Sequence, residues 1–141
     1  MDDTPKKNEP PPTILVVDDK ADSRQLLMRM LRVATPALVL EARDGDQALK
    51  EFVAHRPCLT FLDIDMPGTD GLAALSAIRA ISPDASIVMV SGTSSAGNVT
   101  EALTLGAAGF VVKPFSAARI LAVLQKFEKT SGRVIMREEA R

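Results

Sequence analysis

The side chains of this chain best placed for chemistry each follow a short apolar run: Asp18 and Asp19 after ILVV, Asp63 after LTFL, Ser91 after IVMV and Lys113 after GFVV. Carboxylates gathered in one pocket repel, and a pair about 4 Å apart costs roughly 4 kcal/mol at an effective dielectric near 20. A divalent cation is the natural remedy. Magnesium prefers octahedral oxygen coordination and keeps several waters, so carboxylates with a backbone carbonyl make a suitable site. A serine hydroxyl can donate to an anionic oxygen, and the compact ammonium of a lysine can neutralise one. Taken singly, each residue has a plainer reading. Acidic pairs after strands are often solvated turn residues, and a serine there is a loop hydroxyl or helix cap. Lys113-Pro114 could simply start a loop, because proline restricts its predecessor to extended geometry. Only convergence in space makes a site of them.

The elements that must position these residues follow from the apolar pattern. Short β-branched runs alternate with longer stretches of helical period, as expected of a parallel sheet covered by crossover helices. The strands are expected at Ile14 to Val17, Leu38 to Glu41, Leu59 to Leu62, Ser86 to Val90 and Gly109 to Val112. Helices are expected at about Ser23 to Val33, Asp46 to His55, Leu72 to Ala80, Val99 to Leu105 and Ser116 to Glu128, the last capped by Ser116. Pro36, Pro57 and Pro83 punctuate the units, a loop over Met66 to Asp70 carries Pro67 and Gly68, and Asp70-Gly71 forms a turn that caps the following helix. In a doubly wound sheet ligands bind beyond the carboxyl ends of the strands. Every residue named above lies there.

Composition narrows the classes. The chain has 141 residues, 46% apolar, with 17 Lys and Arg against 18 Asp and Glu, so one domain with an adequate core is expected. A net charge of -1 gives no global field for nucleic acid phosphates or an anionic membrane. The single cysteine, Cys58, excludes an internal disulfide, and with one histidine, His55, there is no cluster for zinc or a catalytic triad. We expect Cys58 to be a small buried apolar group and His55 an exposed residue at a helix C-terminus. No signal peptide or apolar run of about 18 residues occurs, so a cytoplasmic protein is expected. Residues 1–12, with three successive prolines, are expected to be a disordered, solvated extension, residues 13–128 the folded domain, and residues 129–141 a polar tail, helical if it continues the last helix.

In their order, VVDDK, LDIDMPGTDG, VMVSG and VVKPF resemble the signature segments of the response-regulator receiver domain of two-component signalling, over roughly residues 13 to 128. The resemblance implies an α/β, doubly wound (βα)5 flavodoxin-like three-layer sandwich with a parallel five-stranded sheet of order 2-1-3-4-5. It implies Asp63 as phosphoacceptor and Asp18 and Asp19 as the acidic pair for Mg²⁺, with Mn²⁺ able to stand in. Asp19 and Asp63 are then the expected direct ligands, Asp18 acts through water, and the backbone carbonyl of Asp65 completes the protein's share. Ser91 and Lys113 would sense the phosphoryl group, Phe110 would be the aromatic switch, Asp65 and Thr93 would tune phosphoryl lifetime, and the Lys113-Pro114 bond would be cis. Phe110 lacks a phenolic hydroxyl, so its switching rests on rotamer and burial alone.

The partners implied are a histidine kinase or phosphotransfer protein, a downstream protein target and, on activation, a homodimer, with no direct contact to nucleic acid or membrane. The fourth helix, fifth strand and fifth helix would form the switched surface. Such a chain is a signalling module that promotes its own aspartyl phosphorylation and dephosphorylation rather than an enzyme. Only 13 residues remain after Glu128, so a single-domain, chemotaxis-regulator-like protein is expected. The enzymatic alternative is an aspartyl-phosphate phosphatase of the haloacid dehalogenase type, because Asp63-Ile64-Asp65 contains D-x-D. Order opposes it, since the acidic pair precedes Asp63. A phosphorylation-independent pseudo-receiver scaffold would have no reason to keep every charged group, and a flavin carrier would lack the Tyr or Trp to flank its ring.

Overall fold

Five parallel strands form one sheet in the order β2-β1-β3-β4-β5, with five helices around it. The computed structural model describes residues 11–66, 71–92 and 96–140. In chain order the elements are β1 (Thr13–Val17), α1 (Ala21–Ala34), β2 (Leu38–Ala42), α2 (Gly45–His55), β3 (Leu59–Asp63), α3 (Gly71–Ile81), β4 (Ile87–Ser91), α4 (Ala96–Thr104), β5 (Gly109–Val112) and α5 (Ala117–Ser131). The expected strands and helices are all present. Their ends move by a few residues, as helix caps and strand pairing decide them.

Alternation along the central strands builds two cores. Ile14 and Val16 of β1, Leu59 and Phe61 of β3, and Val88 and Val90 of β4 face one side, where Leu27 and Leu31 of α1 and Ile120, Leu124 and Phe127 of α5 cover them. Leu15 and Val17, Leu62, and Ile87 and Met89 face the other, against Phe52 of α2, Leu72, Leu75 and Ile78 of α3, and Ala102 of α4. Every residue of β3 and β4 is buried, whereas the edge strands β2 and β5 keep exposed positions. That is why the central segments read as near-continuous apolar runs.

Local signals fix the helix ends. The Asp44 carboxylate accepts from the Gln47 amide at 2.8 Å, and the Gln47 side chain returns to the Arg43 amide at 3.0 Å. Ser116 caps α5 through the Arg119 amide at 3.1 Å, as its sequence position leads one to expect. At the other end of α5, Gly132 adopts a left-handed φ of 74° and stops the helix.

Beyond Gly132 the chain turns back beneath the domain. Ile135 and Met136 are buried in the core between α1 and α5, and their amides donate to a carboxylate oxygen of Glu128 at 2.6 and 2.8 Å. The buried Thr35 hydroxyl donates to the Ile135 carbonyl, the Arg137 amide to the Ala34 carbonyl, and the Arg137 guanidinium to the Arg32 carbonyl. These carbonyls include the orphan acceptors at the C-terminus of α1. A short 3-10 turn, Glu138–Ala140, follows. Among the described residues no helix is long and apolar enough to cross a membrane.

Candidate functional site

Strand register brings the site together. Val17 pairs with Leu62, so Asp18 and Asp63, the next residues, lie abreast at the point where strand order switches between β1 and β3. Ser91 ends β4 beside Val112 of β5, and the Lys113 amide donates to the Ser91 carbonyl at 2.8 Å. Asp18, Asp63 and Ser91 are buried. The Lys113 ammonium reaches both acids, at 3.0 Å from Asp18 Oδ2 and 3.2 Å from Asp63 Oδ2. Asp18, Asp19 and Asp63 each offer one oxygen to a group lying within 4.8 Å of one another.

The charges are unequally supported. Burial pushes the Asp63 carboxyl above its ordinary value and the neighbouring Asp18 charge adds to this, against the Asp65 amide and Lys113. At Asp18 burial acts the same way, but the Lys20 amide, at 2.9 Å from Oδ1, and Lys113 outweigh it and hold the carboxyl low. Lys113 is raised because its two acidic partners together exceed the cost of burying it. One oxygen of Asp19 is buried with no hydrogen-bond partner. An anionic oxygen left so is costly unless a cation meets it, and an all-oxygen donor set suits a hard divalent ion. The three acids therefore fit magnesium.

The expected residues are not all equally placed. Phe110 is half-buried on β5 beside Met89, against the core under α3 and α4, and the Lys113-Pro114 bond is cis. Thr93 and Asp70 lie outside the described residues. Asp65 does more than add a charge: its amide donates to Asp63 Oδ1 at 2.9 Å, while its carboxylate accepts from the Ser91 hydroxyl at 3.0 Å and the Gly92 amide at 3.2 Å. His55 is exposed at the end of α2, 3.4 Å from Glu51, and Cys58 is half-buried, its thiol pushed up by burial and so poorly nucleophilic. Neither approaches the acids.

Two supporting residues escaped sequence reasoning. Arg24 is buried in α1, donates to the Asp18 carbonyl at 2.9 Å and lies 3.5 Å from Glu41, fixing the turn that carries the acidic pair. Its only sequence signal is a basic residue on a helix face otherwise directed inward. Gly71 opens α3 so close to β3 that a Cβ there would lie 2.2 Å from the Asp63 carbonyl oxygen and 2.6 Å from the Ile64 Cα. Both obstacles are backbone. Gly71→Ala is therefore expected to lower stability by about 1 to 3 kcal/mol, the usual range for overpacking, and to weaken Mg²⁺ binding by shifting Asp63. Urea unfolding and magnesium titration check this; unchanged values in both would show that α3 backs away freely.

A family model described as the response regulator receiver domain matches residues 14–125. The chain belongs to the response regulator receiver domain family. This receiver domain is 38% identical over 116 residues to the chemotaxis protein CheY of Listeria monocytogenes, covering 82% of this chain and 98% of that protein. It is 39% identical over 113 residues to CheY of Bacillus subtilis, covering 80% and 94%. Among solved structures, the receiver domain of NtrX from Brucella abortus is 37% identical with a TM-score of 0.78, covering 83% of this chain and 98% of that one. Vibrio cholerae CheY4 aligns with a TM-score of 0.77 at 29% identity, covering 84% and 99%. The receiver domain is thus a two-component signalling module similar to CheY. The family membership implies kinase or phosphotransfer partners and downstream targets; receiver domains bind magnesium at an acidic site, and the acidic pocket is compatible with that ion.

Proposed function

We propose that this chain takes a phosphoryl group from a histidine kinase or phosphotransfer protein onto Asp63 and thereby switches a protein-docking surface on α4, β5 and α5. One observation carries the reading: Asp63 is buried abreast of Asp18, and the Lys113 ammonium lies within 3.2 Å of a carboxylate oxygen of each. The signalling unit would span residues 13–128, with residues 133–140 folding back as a strap under it.

Phosphoryl transfer passes through a loose transition state, so the protein's task is to position groups and neutralise charge. Asp19 and Asp63 would hold Mg²⁺, or Mn²⁺ in its place, directly, with Asp18 acting through water and the Asp65 carbonyl as a further ligand. The ion supplies charge neutralisation at the phosphoryl oxygens. Lys113 would give its ammonium to one phosphoryl oxygen, and the Ser91 hydroxyl would donate to another. Withdrawal of Ser91 toward the phosphoryl group frees volume for Phe110 to turn inward, reshaping the nearby surface, where Leu103 and Val112 are exposed. A coupling of about 1 to 3 kcal/mol suffices to change partner affinity 5- to 150-fold. Asp65 and Thr93 would tune how long the aspartyl phosphate survives attack by water. The D-x-D phosphatase reading needs the Asp65 carboxyl as a free general acid, whereas it accepts from Ser91 and Gly92.

Incubation with acetyl phosphate and Mg²⁺ tests the reading. Trapping and peptide mass spectrometry are expected to find one phosphoryl group on Asp63 in the wild type and none in Asp63→Asn. Label at another residue, or turnover of small phosphate esters, would overturn it.

A further inference from the structure

Asp63 and Asp65 lie one residue apart, with the buried Ile64 between them turned into the opposite core. The Asp65 amide is bonded to Asp63 Oδ1, and its carboxylate is directed instead toward the end of β4. There a single oxygen, Asp65 Oδ2, receives both the Ser91 hydroxyl at 3.0 Å and the Gly92 amide at 3.2 Å. A serine has one hydroxyl proton to donate. The Ser91 proton given to Asp65 is therefore unavailable to a phosphoryl oxygen on Asp63. Both lengths exceed those of strong charge-assisted bonds, about 2.5–2.7 Å for an O–H donor and 2.7–2.9 Å for an N–H donor, so the pair can be broken.

We propose that Asp65 is a positioning residue that latches Ser91 and Gly92 in the resting conformation, so that an acyl phosphate on Asp63 must take the Ser91 hydroxyl from a carboxylate before the switch can move. This rests on the phosphoacceptor reading of Asp63 and deepens it. It assigns Asp65 a role through Ser91, in addition to any effect on the attacking water. Because a ligand's apparent affinity is reduced by the fraction of molecules in the competent state, removing the latch tightens binding of any phosphoryl mimic without adding a contact. The effect passes through a named hydroxyl, and that separates it from simple repulsion between Asp65 and the incoming anion.

The experiment uses the full chain, with Asp65→Ala and Asp65→Asn each made alone and on a Ser91→Ala background. In metal-free protein, NMR hydrogen exchange at the Gly92 amide is expected to quicken about tenfold in Asp65→Ala, the protection given by one hydrogen bond of about 1.4 kcal/mol. With saturating Mg²⁺, calorimetric titration with beryllofluoride is expected to show about five- to tenfold tighter binding in Asp65→Ala. Asp65→Asn, which keeps an acceptor oxygen for Ser91, should stay nearer the wild type. On the Ser91→Ala background the gain should shrink to less than a third. Unchanged affinity in Asp65→Ala overturns the latch, as do equal gains in the Ala and Asn variants or a gain that persists without the Ser91 hydroxyl. If the wild type itself takes up no beryllofluoride, the phosphoacceptor reading fails and the latch with it; if it does, unresponsive variants sink the latch alone.

Discussion

Replacing Lys113 with methionine is expected to lower the stability of the metal-free protein by about 3 kcal/mol or more, roughly 10 °C in melting temperature, with saturating Mg²⁺ restoring most of it. Lys113 lies between two buried carboxylates, at 3.0 and 3.2 Å. Removing it leaves both charges uncompensated in a poorly solvated pocket, and removing one partner of a buried pair is more damaging than never having had the pair. A cation bound by the acids supplies the missing charge, so the variant should gain more from magnesium than the wild type does. Thermal melts in chelator and in Mg²⁺ measure this directly, and equal melting temperatures for variant and wild type in chelator would refute it.

The same pairing has a pH signature. Lys113 is raised above its ordinary 10.5, so its contribution is fully present below that value and is lost as pH rises through the higher folded value. Asp18 is held below 3.8, and its contribution, present above 3.8, disappears as pH falls through the lower folded value. Asp63 has the opposite sign: raised above 3.8, it binds more protons folded than unfolded, and stability falls as pH climbs through its folded value. Without Lys113 that last effect dominates, so Lys113→Met should gain stability on mild acidification where the wild type gains little.

The second large effect is expected at the opposite end of the sheet. Ending the chain after Gly132 removes Ile135 and Met136 from the core, and burying each such side chain stabilises by about 1.5 to 3 kcal/mol. The truncated protein should lose about 3 to 6 kcal/mol, a large part of the 5 to 15 kcal/mol typical of a domain. Deletion also takes the partner from the buried Thr35 hydroxyl and the donors from the carbonyls of Arg32 and Ala34. Met136→Ala, expected to cost about 2 to 5 kcal/mol, separates apolar packing from the loss of hydrogen bonds. Magnesium affinity of the folded fraction should not change, because the hydrogen bonds of the strap go to Arg32, Ala34, Thr35 and Glu128 at the C-terminal ends of α1 and α5, at the opposite end of the sheet from Asp18 and Asp63. Urea unfolding followed by circular dichroism checks both; a truncation that unfolds at the wild-type midpoint would make the strap energetically idle.

Most of the architecture was legible because it depends on local period. The runs ILVV and IVMV are apolar throughout because both sheet faces are covered, and Leu26, Leu27, Met30 and Leu31 recur at helical spacing. Once those runs are parallel strands, the residues after them share one edge of the sheet. Asp18, Asp19, Asp63, Ser91 and Lys113 could therefore be gathered from positions far apart in sequence. The tail was not legible in this way. RVIMREEA has three adjacent apolar residues among charges and no period, so nothing local marks Ile135 and Met136 as core.

What the sequence by itself determined is the order of elements, the sheet they make and the polar residues at its carboxyl edge, because side-chain type and period act over neighbouring residues. What only the tertiary structure decided is who partners whom. The Ser91 hydroxyl meets Asp65 across 26 residues, the Thr35 hydroxyl meets Ile135 across 100, and Gly71 is glycine because the backbone at the end of β3 passes where its Cβ would be. Such contacts depend on distances of a few ångströms between segments that have no relation until the core has closed, and hydrogen bonding and steric exclusion both act only at that range.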